Sequence, residues 1–417
     1  MKALALLSKI ALISLTASQA LAGGIFTPIS ADSAAVLPKG VRNVRIGGFT
    51  TEVTDKFDGY GSIVPTANSF NKAISYDKLI SSRPDLSEQA QLRGGLQAEG
   101  VNLSDTAGNA EGLVNARITT SVPVIAYGLT EKITLGIGLP IMYSSTHVDT
   151  GWAANANFNA TLQRLQTLGF EGRILGLKND LYNVVATQVA AYGYKPMADE
   201  QHNDMGDATL GAKMQVMTSP KADVAVSMKA VLPTGRTPDV DKVVDIAPGD
   251  GHFSTGVGVV ADFKVANKIV ITPSASYLYQ FAAHQTARIP RTSDESISPD
   301  KDFDTKVKKG DIMGTALTGR YQFIETMNVG LGYSFQYKNP DEYQGSAYDS
   351  QRYSYLSQDT FQYMHSMLLS FTASTIPLFK KHQFAVPLDA TIAFAHVLEG
   401  RNVGKLDVAI FDLAAYF

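Results

Sequence analysis

The chain contains no cysteine in its 417 residues. A disulfide framework and a thiolate metal site are therefore excluded. It also lacks a basic surplus: Lys and Arg total 36 against 39 Asp and Glu, a formal net charge of −3. Nucleic acid is not an expected partner, and neither is an anionic surface. The seven histidines (His147, His202, His252, His284, His365, His382 and His396) never stand two or four positions apart. That leaves no ligand spacing and no expected metal. There is no P-loop, no GxSxG elbow and no GxGxxG, so no cofactor is expected. Past the N-terminal stretch no apolar run reaches the ~18 residues that a membrane helix needs.

The N-terminal stretch is MKALALLSKIALISLTASQALAGG. A lysine precedes a short run of Leu, Ile and Ala that closes on Ala20-Leu21-Ala22, which reads as a signal peptide over 1–22. A membrane anchor fits less well, because Lys9 interrupts the run and no stop-transfer flank follows. Removing the signal leaves about 395 residues and, with its two lysines gone, a formal charge near −5. An exported chain without a membrane helix is either soluble or an outer-membrane barrel, whose strands carry only half the apolar signal.

Alternation decides between these. In NVGLGYSFQY, Val329, Leu331, Tyr333, Phe335 and Tyr337 take one face and Asn, Gly, Ser and Gln the other. IVITPSASYLYQF from Ile269 and KADVAVSMKAVL from Lys221 alternate the same way. Such period-2 segments are strands. They run longer than the ~5–6 residues of a soluble strand and suit the roughly 9–11 that a tilted membrane strand needs. Twelve begin, near Val41, Asn115, Lys132, Asp207, Ala222, Gly251, Lys268, Lys308, Met327, Thr360, Gln383 and Lys405. Short turns such as VANK and FIET alternate with longer segments, the rhythm of periplasmic turns and outer loops. The expected fold is all-β: a transmembrane antiparallel up-and-down β-barrel of about twelve strands in the outer membrane, with helical insertions in the long extracellular loops. Residues 23–40 form a short periplasmic segment, and 41–417 the barrel, with long loops at 55–113 and 145–206. Within the second loop, residues 157–194 carry a helical spacing that suits a cap over the mouth or a hairpin on the rim. The 55–113 loop is more polar and is the better candidate for partial disorder. The last strand ends on Phe417, a terminal aromatic that resembles the recognition signal read by the barrel-assembly machinery.

Two sets of residues could carry function. His252 and Ser254 in GDGHFSTGVGVV lie two apart, so one strand face would hold a base beside a nucleophile. Outer-membrane phospholipases and lipid deacylases use such a pair turned to the bilayer. Here Phe253, Thr255, Val257 and Val259 form the apolar face, and His252 and Ser254 fall on the other with Gly256, Gly258 and Asp262. The pair is expected in the lumen, and no catalytic residue is assigned. The second set is the strand charges, which cost about 2–4 kcal/mol on the lipid face for Arg or Lys. Parity puts Arg45, Arg117, Lys213, Lys229, Asp262, Arg320, Asp389 and Asp412 in the lumen. They are either salt bridges bracing a narrow barrel or a polar conduit.

YGLTEKITLGIGLP (Tyr127–Pro140), GDATLGAKMQVM (Gly206–Met217) and VLPTGR (Val231–Arg236), followed by GDGHFSTGVGVVADF, stand in an order that resembles a family of outer-membrane transporters labelled MetA-pathway of phenol degradation. The motif Leu232-Pro233-Thr234-Gly235-Arg236 is its most compact part. The resemblance covers roughly Val114 to Tyr279. It implies an outer-membrane barrel, without catalytic residues, for uptake of small hydrophobic or aromatic solutes. The two long first loops depart from the family pattern. The partners expected are outer-membrane lipid, a small hydrophobic solute and the assembly machinery, with the chain acting as a monomer. The alternatives are a His252-x-Ser254 lipase and a structural or adhesive barrel with no open pore.

Overall fold

A computed structural model describes residues 33–417 apart from 69–70, 82–84, 155–157, 159, 161–188, 294 and 296. The signal peptide expected at 1–22 and the middle of the 157–194 helical pattern lie outside the described residues.

Twelve antiparallel strands close a barrel. They are β1 Arg42–Val53, β2 Thr106–Thr130, β3 in two pieces (Ile133–Gly138 and Ile141–Ala154), β4 in two pieces (Glu200–Met205 and Ala208–Thr218), β5 Ala222–Leu232 and β6 Ser254–Ala266. β7 Ile269–Gln280, β8 Ile312–Ile324, β9 Met327–Lys338, β10 Gln362–Ser374, β11 Leu388–Arg401 and β12 Asp407–Tyr416 follow. Each pairs with the next, and β1 pairs with both β12 and β2, which closes the ring. A closed ring leaves no unpaired edge in lipid, the condition for a sheet to span a bilayer. The β3 break falls at Leu139-Pro140, where proline has no N–H for the ladder.

Side-chain alternation separates the two faces. Outward positions carry exposed apolar residues, among them Val257 (54 %), Leu317 (53 %) and Leu369 (56 %). Many inward positions are buried, with Phe49 at 0 % and Val260 at 3 %. Aromatic rings cluster at the outer ends of β6–β10: Phe253 with Phe281 (5.4 Å), Phe281 with Tyr279 (4.8 Å) and Phe335 with His365 (4.7 Å). Phe323 and Phe371, 5.9 Å apart, stand at the opposite end. Aromatic girdles at both interfaces flank the apolar band of an outer-membrane barrel.

Several boundaries differ from the sequence expectation. β2 has 25 residues, begins at Thr106 and is more than twice as long as a crossing needs. β3 runs to Ala154, and β4 gains an outer piece from Glu200. These extensions rise above the bilayer, where no lipid demands an apolar face, so they carry no alternation to read. The described residues of the 55–113 segment include secondary structure. It holds helices α1 (Tyr76–Ser81) and α2 (Leu86–Ala98), the latter capped by the Asp85 carboxylate accepting from Ser87 N and Glu88 N. Tyr76, Ile80, Leu92 and Leu96 are buried between them together with Phe158. A few apolar residues at helical spacing suffice for this small core.

Candidate functional site: the barrel lumen

The lumen has two unlike walls. Along β10–β12 and β1–β3, many inward side chains are apolar: Phe49, Ile118, Met142, Met364, Val408 and Ile410 join one buried cluster, with Leu368 packed against it. Ile246, from the 234–250 segment, reaches the same cluster. Along β6–β9 the inward positions hold small residues, including Gly256, Gly258, Ser276, Gly314, Gly332 and Ser334. Ser276 points inward between Gly258 and Gly314 and is nonetheless exposed. The interior is therefore open to water at that level.

Charged residues brace this interior. Arg45 on β1 donates to Asp412 on β12, and both are mostly buried. Asp389 accepts from the Tyr416 hydroxyl at 2.7 Å. Asp262 accepts from Thr272 Oγ1 (2.5 Å) and Arg320 (3.0 Å) on one oxygen and from Ser33 Oγ (2.8 Å) and Ala34 N (2.9 Å) on the other. Lys213 donates to the Ser33 carbonyl. Lys229 lies across Gly256, where a Cβ would come within 3.0 Å of its side chain.

These contacts correct two expectations. Residues 33–40, expected in the periplasm, run inside the barrel near its periplasmic end. Ala34 is wholly buried against Ala225 and Val260, and Leu37 N donates to Thr134 Oγ1 at 2.8 Å. Pro38 rides over Gly128 so closely that a Cβ there would lie 1.9 Å from the Pro38 carbonyl oxygen. Arg117, expected in the lumen, is exposed on the face of Leu113 and Ile125, with Ala116 and Ile118 turned inward. It stands opposite Glu52 of β1 and Ser145 of β3. The rule that strand charges turn inward holds only at hydrocarbon depth, and Arg117 lies on the protruding half of β2.

His252 and Ser254 both point inward and are buried, at 0 % and 3 %. His252 Nδ1 lies 3.1 Å from the Phe281 carbonyl, and its Nε2 has no hydrogen-bond partner among the described residues. No hydrogen bond joins His252 to Ser254. Burial, then the nearby Lys309 ammonium, holds the His252 pKa below its ordinary value. A base that activates a serine must touch it. Neither that contact nor a bilayer-facing orientation is present.

Sequence reasoning missed how the motif stretches meet. Thr234-Gly235-Arg236 turns back into the mouth against the β4 break and the GDGH stretch. A Cβ on Gly235 would lie 2.8 Å from Gly206 C, and one on Gly249 would lie 2.7 Å from Gly235 C. Three motif glycines thus pack backbone on backbone. Asp207 accepts from Gly235 N (2.8 Å) and Asp250 N (3.2 Å). Arg236 donates to Asp204 (2.6 Å), Asp245 (2.6 Å) and the Ile246 carbonyl (2.8 Å). Among the loops beyond the strand ends, the buried Arg288 donates to the carbonyls of Tyr192, Gly193, Val240 and Ser298 and pairs with Asp241. The recurring Gly-Asp pairs were the available signal, since each sets a close approach beside a carboxylate that accepts the freed N–H groups.

The sequence pattern of the family described as "Putative MetA-pathway of phenol degradation" matches residues 149–376. No curated protein matches the chain in sequence. Among solved structures, the COG4313 outer membrane channel from Pseudomonas putida F1 is similar with a TM-score of 0.52 at 10% identity, over 93% of this chain and 98% of that one. Weaker likenesses are the translocator domain of the autotransporter NalP from Neisseria meningitidis (TM-score 0.39, 9% identity, 98% of this chain and 99% of that one) and the CymD monoaromatic hydrocarbon channel (0.35, 10%, 98% of each).

Proposed function

The chain belongs to the MetA-pathway of phenol degradation family, and from that premise we propose that it is an outer-membrane channel for passive uptake of small hydrophobic or aromatic solutes. The observation that carries this reading is the inward-facing yet exposed Ser276, set among glycines and serines and facing an apolar wall. Small residues on one side leave room for a solute. The apolar side offers contact without hydrogen bonds that would hold the solute back, and conduction requires binding weak enough to release. Arg45 pairs with Asp412 and Asp262 with Arg320 across strands, so these inward charges serve chiefly to brace the wall, with Lys229 the cation set against its glycine-rich part. The channel works without covalent chemistry. The buried, inward orientation of His252 and Ser254 supports this over a lipase, whose substrate would stay in the bilayer. The chain acts as a monomer, and the exposed Phe417 on the outward face of β12 serves recognition by the barrel-assembly machinery.

Flux in proteoliposomes tests the reading. Purified protein should speed entry of small phenols and other monoaromatics over protein-free vesicles. Ser276→Trp should cut that entry severalfold while leaving the barrel folded, as judged by its heat-modifiable migration on gels. Vesicles no more permeable than protein-free ones, for every solute tried, would leave a structural barrel.

A further inference from the structure

The outer piece of β4 and the 234–250 segment bring together three metal-competent side chains that the channel reading does not use. Glu200 and His202 stand two apart on the β4 face that the segment covers, and Asp245 comes from the segment itself. One ligand atom from each lies within 4.8 Å of the others, and His202 Nε2 is 2.9 Å from Glu200 Oε2. Asp245 is the informative member. Its side chain is 2 % exposed, and its Oδ2 is taken by Arg236 and Asp239 N. Its Oδ1 is buried with no hydrogen-bond partner among the described residues. A buried carboxylate oxygen left bare costs free energy unless a cation or donor meets it. The Lys242 ammonium already sits at the edge of the cluster, 2.7 Å from Glu200 Oε2 and 3.5 Å from His202 Nε2.

We propose that Glu200, His202 and Asp245 form a divalent-cation site of the zinc type, which the Lys242 ammonium contests. One imidazole nitrogen and two carboxylates are a borderline donor set, suited to zinc rather than to the all-oxygen cage of calcium. Two of the ligands sit on the wall and one on the inward-folded segment that also carries Ile246, so the ion would pin that segment to β4. Lys242 is 16 % exposed and can withdraw its head to solvent as the ion enters. The site stands whether or not the barrel conducts solutes.

The test is zinc titration by calorimetry on the full-length, tag-free protein, stripped with chelator and held in detergent. One zinc per chain is expected. His202→Ala and Asp245→Asn should each remove that binding, and Lys242→Ala should tighten it on the order of tenfold by taking away a competing like charge. X-ray absorption of the loaded protein should show nitrogen and oxygen ligands including one imidazole. His147, His284 and His396 each pair with an exposed aspartate and could take zinc at the surface. Binding that persists unchanged in His202→Ala would therefore overturn the assignment. So would a lack of stoichiometric binding in both the wild type and Lys242→Ala, where failure of Asp245→Asn to fold has no bearing.

Discussion

At the scale of single residues, Asp262 does the most. It joins the β6–β8 wall to the chain segment before β1 through four hydrogen bonds. Charge-assisted hydrogen bonds contribute about 1.5–3 kcal/mol each. Asp262→Ala loses the two that hold Ser33 and Ala34, so the segment should leave the wall far more often, by roughly tenfold or more. The absence of native cysteine makes the measurement simple, because an Ala34→Cys protein keeps the Ser33 hydroxyl and the backbone N–H of residue 34 and has a single, buried thiol. Its labelling by a water-soluble maleimide should speed up in the Asp262→Ala background. Arg320→Ala is the control: it strips one partner from Asp262 but leaves the Ser33 and Ala34 contacts, and labelling should stay slow. Equal labelling in all three backgrounds would mean that Asp262 does not hold the segment. None of this was visible in the sequence beyond the inward parity of Asp262. Parity fixes a face, but it cannot say that a segment 228 residues away occupies the same space.

At the scale of elements, legibility followed the solvent. The twelve membrane-crossing stretches could be counted because lipid imposes an apolar residue at every second position, as in β9 and β6. The outer halves of β2, β3 and β4 meet water on one side and loops on the other, so nothing enforces an alternating pattern, and parity misplaces Arg117 for the same reason. The mouth was hidden more deeply, because it is built from backbone contacts. Nothing in the alternation singles out Gly206, Gly235 and Gly249, whose contact arises only in the folded chain. That contact makes a sharp prediction. In Gly235→Ala the added carbon would meet Gly206 C and Cα at 2.8 and 2.9 Å, backbone that cannot rotate away. The 234–250 segment should lift, exposing Arg236 and Lys242 to trypsin, at a cost of about 1–3 kcal/mol. In Gly314→Ala the nearest atom is the Ser276 hydroxyl at 3.0 Å, which can turn aside. That variant should keep the wild-type digestion pattern. Identical digestion of the two variants would show that the glycine contact does not set the fold of the mouth.

At the scale of the whole molecule, the bilayer decides what each outward position tolerates, and its boundaries follow from the strands. Leu317 lies midway along β8, outward and 53 % exposed, with Thr315 and Gly319 flanking it. Arg117 is outward too, but it sits thirteen residues from the periplasmic end of the 25-residue β2, beyond the span of a tilted crossing. A charge in mid-membrane costs about 2–4 kcal/mol for Arg, falling to about 0–1 near the interface. Leu317→Arg should therefore lower the stability of the protein refolded into lipid vesicles by that larger amount, as measured by guanidinium titration. Arg117→Leu should change it by less than about 1 kcal/mol, since the charge it removes was already solvated. The pair together tests where the membrane lies. Were Leu317→Arg as mild as Arg117→Leu, the apolar band would have to be shifted along the barrel. A large gain from Arg117→Leu would instead put that half of β2 within the hydrocarbon, where its charge would have been paying the penalty all along.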